Sequence, residues 1–151
     1  QAYGFIDWKS IVLMAGMLPM STALSKVGLI NVAANELTSS LGLYGPMVVL
    51  AGLFLSTSLF TQVLSNTATT VLLAPLALAA AQNLGVQPHA FLMGVAIAAS
   101  LAMGTPVASP VNTLVMAAGN YRFSDYLKTG LPLIALLMVI CLLVLPLLWP
   151  F

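Results

Sequence analysis

Two short polar segments interrupt an otherwise apolar sequence, and they contain the residues best suited to bind ions. The first contains Ser65, Asn66 and Thr67, and the second ends in Ser109-Pro110. Serine, asparagine and threonine are favoured at helix N-caps, and proline is favoured at the first helical position. Each segment is therefore predicted to start a new helix, whose free N–H groups and positive dipole end favour an anion.

The apolar segments before these breaks supply groups of the opposite polarity. They are predicted to end at about Leu64 and Ala108, where free carbonyl groups carry the negative end of the helix dipole. With the Thr61 hydroxyl and the Asn66 side-chain oxygen, these carbonyls could coordinate a small hard cation such as Na⁺. An anion and a cation bound side by side stabilise each other, which is the physical basis of ion-coupled uptake. The alternative for residues 65–70 is an ordinary loop between two full membrane spans.

The composition indicates that these groups lie in a membrane. Of the 151 residues, 61% are hydrophobic and 5% are charged, whereas soluble domains carry about 25% charged residues. No charged residue occurs from Leu37 to Tyr121, where His89 is the one titratable side chain apart from tyrosines. This excludes a soluble enzyme, a disordered chain and a nucleic-acid-binding protein, which needs a basic face. We therefore predict an all-α polytopic membrane protein.

The chain divides into six predicted segments. Residues 1–29 form a spanning helix that Pro19 kinks, and residues 30–41 form an amphipathic helix in the membrane interface. The apolar face of the second segment repeats every four residues, at Leu29, Ala33, Leu37 and Leu41. The remaining four are a helical hairpin over residues 42–84, a broken transmembrane helix over 88–118, a cytoplasmic loop over 119–128 and a terminal transmembrane helix over 129–151.

The hairpin is predicted to be re-entrant and the following helix discontinuous. In hydrocarbon, broken helices are tolerated only where they are buried in protein or line a watery cavity, and residues 90–103 and 111–118 are each too short to span alone. The positive-inside rule puts Lys9, Arg122 and Lys128 in the cytoplasm and Lys26 on the other side. In this orientation the hairpin enters from outside and the C-terminus lies outside.

The tripeptide Ser65-Asn66-Thr67 resembles the signature of the divalent anion–sodium symporters, the sodium-coupled dicarboxylate, citrate and sulfate carriers. Other motifs occur in the same order as in the family. They are Asp7-Trp8 at the first helix, before the tripeptide, and then the segment from Pro106 to Asn112, the loop from Gly119 to Gly130 and the closing helix. The resemblance covers essentially the whole chain. It implies that this chain is the C-terminal one of two inverted repeats. The chain would then be one half of an inverted-repeat transporter.

The resemblance also implies roles for individual residues. The hairpin tip, Ser65, Asn66 and Thr67, would bind a substrate carboxylate or sulfate oxygen, and Ser109 would face the same site. Sodium would be bound by Thr61, Asn66 and the backbone carbonyls of Leu64 and Ala108. The chain departs from the family in three places: Ser109 stands where threonine is frequent, Val111 where a second proline is frequent, and Leu64 where a small residue is common. These changes leave the identity of the anion open.

For the whole protein, the resemblance implies transport of a small divalent anion, dicarboxylate or sulfate, with Na⁺ as the coupling ion and no organic cofactor. The family's first repeat is absent from this sequence, so a longer chain or a partner subunit would supply it. Family members are homodimers in the inner or plasma membrane and work by an elevator motion. Here residues 44–118 would move, residues 1–29 would belong to the scaffold and residues 30–41 would be the linking arm.

Other functions remain as alternatives. A proton-coupled or arsenite-type carrier of the same wider superfamily is disfavoured because proton relays usually need a buried carboxylate, and His89 is the one candidate proton carrier. A non-transporting scaffold subunit would need packing faces but no polar breaks. A membrane enzyme is not expected, since the sequence has no Ser/His/Asp set, histidine cluster or paired carboxylates. The lone Cys141 lies in an apolar run and is interpreted as a packing residue.

Overall fold

The computed structural model describes residues 8–151, and within this range it contains helices and turns but no strands. This confirms the predicted all-α class. Residues 1–7, including the Asp7 of the predicted first segment, lie outside the described residues. The elements are α1 (Trp8–Lys26), α2 (Leu29–Leu41), a 3₁₀ turn (Gly42–Tyr44), α3 (Pro46–Phe60), α4 (Asn66–Leu84), α5 (His89–Ser100), α6 (Pro110–Gly119) and α7 (Phe123–Leu148).

Glycine, proline and asparagine define several of the helix ends. Pro46 and Pro110 occupy the first position of α3 and α6, where the missing N–H would have no helical partner. Gly85 ends α4 with a left-handed φ of 67°, and Asn120 ends α6 with a φ of 51°. These are the residue types that adopt this conformation at low cost. The helix boundaries therefore follow from local backbone chemistry.

The last helix begins earlier than the sequence predicts. It starts at Phe123 instead of Thr129, so the connection predicted over residues 119–128 shrinks to a short turn. The reason is a cap: the Arg122 N–H donates to Asp125 Oδ2 at 2.8 Å, and the Asp125 N–H donates to the Arg122 carbonyl at 3.0 Å. A carboxylate in the first turn also stabilises the positive end of the helix dipole.

The apolar face of α2 differs in part from the predicted one. Ile30 and Ala34 are buried, whereas Leu29 and Ala33 are exposed. Leu37 and Leu41, which the sequence places on this face, are half-buried. An α-helix has 3.6 residues per turn, so a strict four-residue repeat drifts around its surface. The face that packs instead starts at residue 30 and continues through residues 34, 37 and 41.

Both polar breaks begin earlier than predicted. The helix before the first break ends at Phe60 instead of Leu64, and the helix before the second ends at Ser100 instead of Ala108. At the second break the Leu101 N–H donates to the Ala98 carbonyl at 3.1 Å, which is the tighter step of a 3₁₀ turn. The free carbonyl ends of α3 and α5 therefore lie several residues upstream of the predicted positions.

The core holds the hairpin against the broken helix. Leu50 and Leu53 of α3 pack in one buried cluster with residues of α4 and α5. Small residues bring the helices close together, since a Cβ at Gly94 would lie 2.8 Å from Leu50 Cδ1. A second cluster joins Phe54 of α3 to α5 and to Ile134 of α7. The polar breaks thus lie at one end of a tightly packed group of helices.

Helix lengths fit a membrane protein. α4 and α7, with 19 and 26 residues, are long and apolar enough to cross a bilayer, whereas α3 and α5 are apolar but shorter. A helix of the length of α5 extends about 18 Å, less than the hydrocarbon thickness of about 30 Å. α7 also exposes many apolar side chains, among them Leu131, Leu136, Leu143 and Leu147.

Candidate ion-binding site at the two helix breaks

The centre of the candidate site is the fully buried Thr61, the residue that follows α3. Its hydroxyl oxygen lies 3.0 Å from Asn66 Oδ1 and 2.7 Å from the backbone carbonyl oxygen of Ala99. The hydroxyl has one hydrogen to share between these two acceptors. Three oxygens from the hairpin and the broken helix therefore converge around a single proton, and oxygen atoms are the ligands that hard cations prefer.

Helix dipoles favour a cation at this cluster. Thr61 follows the last residue of α3, and Ala99 lies in the last turn of α5. Both positions are at C-terminal helix ends, where the dipole contributes about half a negative charge. Asn66 begins α4, so the positive end of a third helix lies beside the same cluster. The arrangement can hold a cation at the carbonyl ends and an anion at the neighbouring N–H end.

The start of α4 supplies the groups predicted to bind an anion. Ser65 is the N-cap residue, and its hydroxyl accepts a hydrogen bond from the Ala68 N–H at 3.3 Å. Ser65 and Asn66 are exposed, and Thr67 is half-buried. The first N–H groups of a helix have no partner inside it. These three adjacent residues therefore present hydroxyl, amide and backbone donors at a positive helix end.

Ser109 is the N-cap residue of α6, at the end of the second break. It has an extended backbone, with a φ of −145° and a ψ of 140°, and its side chain makes no capping hydrogen bond to α6. Within residues 8–151, no hydrogen bond joins Ser109 directly to Ser65, Asn66 or Thr67. Its hydroxyl is thus left available at the start of α6, and its role beside the other three remains a prediction.

The two backbone carbonyls predicted to bind sodium are not hydrogen-bonded among the described residues. Leu64 is exposed, and its N–H donates to the Phe60 carbonyl at 2.8 Å. Ala108 is buried, and its N–H donates to the Thr105 hydroxyl at 3.3 Å. Both carbonyl oxygens are therefore free to accept a ligand, and their coordination of sodium remains a prediction.

Three polar residues that the sequence analysis did not assign a role close the second break. Gln62 Nε2 donates to the Leu101 carbonyl at 2.9 Å, and the Thr105 hydroxyl donates to the Gln62 carbonyl at 2.6 Å. Asn112 Nδ2 donates to the Ala102 carbonyl at 2.6 Å and to the Thr105 carbonyl at 3.1 Å. A glutamine and an asparagine beside predicted helix breaks were the available signal, because breaks leave carbonyls that need donors.

The backbone of α7 lies directly against the second break. A Cβ at the buried Gly130 would come 2.4 Å from the Met103 carbonyl oxygen and 2.8 Å from the Cα of Gly104. In the same helix, the Tyr126 hydroxyl donates to the Asn112 carbonyl at 2.7 Å. The unwound segment therefore packs against α7 on this side, whereas Met103 and Val107 remain exposed. Non-helical backbone at membrane depth has to lie against protein or line a water-filled cavity.

Comparisons with known proteins show which family the chain resembles. The family described as "Sodium:sulfate symporter transmembrane region" matches residues 6–151. The chain is 49% identical over 150 residues to the "Uncharacterized transporter YfbS" of Escherichia coli (strain K12), covering 99% of this chain and 25% of that protein. It is 32% identical over 126 residues to the "Na(+)/citrate cotransporter" of Mus musculus, covering 83% of this chain and 22% of that protein.

The chain thus spans about a quarter of the length of these curated relatives. The family match covers residues 6–151, so both breaks lie within it. Together with the all-helical fold, it identifies an integral membrane protein. The chain belongs to the sodium:sulfate symporter family, the divalent anion–sodium symporters.

Proposed function

We propose that this chain forms half of the binding site of a sodium-coupled secondary transporter for a small divalent anion, a dicarboxylate or sulfate. The observation that carries the proposal is the cluster of three oxygens from Thr61, Asn66 and Ala99 at the carbonyl ends of two helices. Family membership supports sodium coupling, and the similarity to a citrate cotransporter supports a carboxylate as one candidate substrate.

In this proposal the cation and the anion bind to different ends of the broken helices. Sodium is coordinated by Thr61 and Asn66 with the carbonyls of Leu64 and Ala108. The Ala99 carbonyl, which contacts the Thr61 hydroxyl, is a further ligand in this proposal. The anion is bound by Ser65, Asn66 and Thr67 at the start of α4, with Ser109 facing it from the start of α6. No lysine or arginine occurs from residue 37 to residue 121, so bound sodium has to offset much of the anion's charge. Anion affinity therefore depends on sodium.

The proposal assigns the helices to two bodies of an elevator transporter. The hairpin is re-entrant and moves with the broken helix, whereas α1 belongs to a dimeric scaffold and α2 is the arm between them. The close approach of Gly130 to the Met103 carbonyl favours including α7 in the moving body. An inverted first repeat completes the site, and the C-terminus faces outward. A disulfide between cysteines engineered into α1 and α4 should stop uptake and spare anion binding.

Sodium coupling is favoured over proton coupling. His89 is exposed and begins α5, whereas the oxygen cluster lies at the other end of that helix. The two ends are separated by about 16 Å at 1.5 Å per residue. A proton carrier has to reach the bound substrate or its pathway, and His89 does not meet this requirement. A scaffold subunit would also have no use for three converging oxygens, two of which belong to the buried residues Thr61 and Ala99, since buried polar groups carry a cost unless they are paired.

Uptake into proteoliposomes that contain the complete protein tests the proposal. Labelled succinate and labelled sulfate are supplied with and without an inward sodium gradient. We expect sodium-dependent uptake of one of these anions. Asn66→Ala should abolish it, because Asn66 takes part in both ion sites. Asn31→Ala is the matched control, since Asn31 is exposed on α2, away from the breaks, and it should retain uptake.

Each outcome has a distinct meaning. Uptake that a proton gradient drives in the absence of sodium would contradict sodium coupling and favour the proton-coupled alternative. Equal uptake by Asn66→Ala and the wild type would contradict the assigned site. If folded protein transports neither anion and a wider panel of dicarboxylates and oxyanions also fails, the scaffold alternative is favoured.

A further inference from the structure

We propose that Gln62 is a positioning residue, which fixes the hairpin turn against the helix break and so sets the spacing of the cation ligands. The inference rests on the proposed function, because the groups that Gln62 positions are the proposed sodium ligands. Gln62 itself contributes no oxygen to the cluster of Thr61, Asn66 and Ala99. Its contacts lie beside that cluster and join the same two segments of chain.

Both polar atoms of the Gln62 side chain, Nε2 and Oε1, make hydrogen bonds. One Nε2 hydrogen is directed to the Ser58 carbonyl and the other to the Leu101 carbonyl, both at 2.9 Å. Oε1 accepts a hydrogen bond from the Gly104 N–H at 2.8 Å. The bond to Ser58 holds the side chain against its own helix, and the other two reach across to the break. A primary amide is the neutral side chain that donates twice and accepts at the same time.

The backbone of Gln62 adds a fourth hydrogen bond in the same direction. The Thr105 hydroxyl donates to the Gln62 carbonyl at 2.6 Å. Residues 101, 104 and 105 of the break are therefore all tied to one residue of the hairpin turn. Because the segment between α5 and α6 has few backbone hydrogen bonds of its own, such contacts determine where it lies.

This network acts next to the proposed cation ligands. Gln62 follows Thr61 directly, and Leu101 is two residues from Ala99. The Thr61 hydroxyl has one hydrogen for two acceptors, so it cannot by itself hold both Asn66 Oδ1 and the Ala99 carbonyl in place. Gln62 supplies a separate hydrogen for each carbonyl that it contacts. We therefore infer that the spacing between Thr61 and Ala99 depends on Gln62.

Gly104 offers an independent way to disturb the same contact. A Cβ at this position would lie 2.9 Å from Gln62 Oε1, so an alanine forces the glutamine side chain to shift. Gly104→Ala disturbs the contact from the other side and keeps a glutamine at position 62. If Gln62 acts through its position, Gly104→Ala and Gln62→Met should have effects of the same kind.

The first experiment measures uptake by the complete protein as a function of sodium concentration. Gln62→Met keeps the length of the side chain and removes its hydrogen bonds. We expect it to raise the half-saturating sodium concentration by about tenfold, while the KM for the anion at saturating sodium changes by less than about threefold. Gly104→Ala should shift the sodium dependence in the same direction. Gln82→Met, at an exposed glutamine of α4, is the matched control and should match the wild type.

The second experiment measures the spacing without relying on transport. Spin labels are placed at Val63→Cys and Val107→Cys, two exposed positions on either side of the contact. Cys141 and any other cysteine of the complete protein are replaced by alanine. The distance distribution should be narrow in the wild type and in Gln82→Met, and broader in Gln62→Met. If Gln62→Met does not fold, Thr105→Val removes the hydrogen bond to the Gln62 carbonyl and the one that the Thr105 hydroxyl accepts from the Ala108 N–H. It should give a smaller change in the same direction.

These measurements separate the two proposals. A wild type without sodium-dependent uptake would contradict the proposed function, and the spin labels would still decide whether Gln62 fixes the spacing. A broader distance with an unchanged sodium dependence would make Gln62 merely structural and overturn the inference. An unchanged distance in Gln62→Met would also overturn it.

Discussion

The backbone groups of the hairpin turn at residues 61–65 are hydrogen-bonded mainly within the hairpin. Those of the break at residues 101–109 are hydrogen-bonded largely to side chains that lie outside the break. In the hairpin, the Ser65 hydroxyl caps α4 and the Leu64 N–H bonds back to α3. In the broken helix, Ser109 makes no capping bond. The carbonyls there are instead satisfied by Gln62 from the hairpin and Asn112 from α6.

This difference separates two ways of keeping irregular backbone in a membrane protein. A tight turn with a capped helix start needs few partners, and it can expose its donors to a ligand. A longer unwound segment leaves more carbonyls and N–H groups without helical partners, and each has to be satisfied inside the protein. In the proposed function, the first break would bind the anion and the second would be held in a fixed position. The following variants test this division.

The largest effect is expected at the group shared by both breaks. Thr61→Val removes the hydroxyl that contacts Asn66 Oδ1 and the Ala99 carbonyl, and it leaves both acceptors without their donor. We expect loss of sodium-dependent uptake, measured in proteoliposomes. Thr61→Ser should retain uptake because it keeps the hydroxyl. Thr38→Val is the control, since the Thr38 hydroxyl bonds within α2. Normal sodium dependence in Thr61→Val would remove this residue from the site.

The next largest effect is expected where α7 contacts the second break. Gly130→Ala introduces a Cβ 2.4 Å from the Met103 carbonyl oxygen, and backbone atoms cannot move aside as a side chain can. We expect the free energy of unfolding to fall by about 3 kcal/mol, measured by thermal unfolding in detergent. Gly16→Ala in α1 meets no atom within 4 Å and should not destabilise the protein. Equal stability of the two variants would contradict the close contact.

A smaller loss is expected from the residue that satisfies two carbonyls of the second break. Asn112→Ala leaves the carbonyls of Ala102 and Thr105 without their side-chain donor. Each buried polar group left without a partner costs about 1–3 kcal/mol. We therefore expect the free energy of unfolding to fall by about 2 kcal/mol. Asn83→Ala, which removes one exposed hydrogen bond to Asn35, should cost less than about 0.5 kcal/mol. Similar losses in both variants would mean that Asn112 does not support the break.

The smallest effect compares the two serines that precede helices. Ser65→Ala removes a capping hydrogen bond and should lower stability by about 0.5–1 kcal/mol. Ser109→Ala removes no such bond and should change stability by less than about 0.5 kcal/mol. Thermal unfolding of the two variants measures this difference. Both should weaken anion uptake, because both hydroxyls are assigned to the substrate. A larger loss of stability in Ser109→Ala would reverse the contrast between the breaks.

Much of the fold and part of the site could be predicted from local sequence. Pro46 and Pro110 predict helix starts through their fixed φ, and Ser65 predicts an N-cap. The pairing of Thr61 with Asn66 was expected, and the structure brings these side chains together. The sequence does not determine the start of α7 at Phe123, because a polar stretch around Arg122 and Asp125 fits a loop as well as a capped helix.

The sequence by itself determined that the chain is helical and apolar, with two polar interruptions, because composition, caps and helix breakers act over a few residues. Only the tertiary structure decided that the Ala99 carbonyl joins the oxygen cluster and that Gln62 holds the break. These contacts join residues 38 and 39 positions apart. No local propensity reports them, because an orphan carbonyl can take its hydrogen bond from any donor that packing brings within reach.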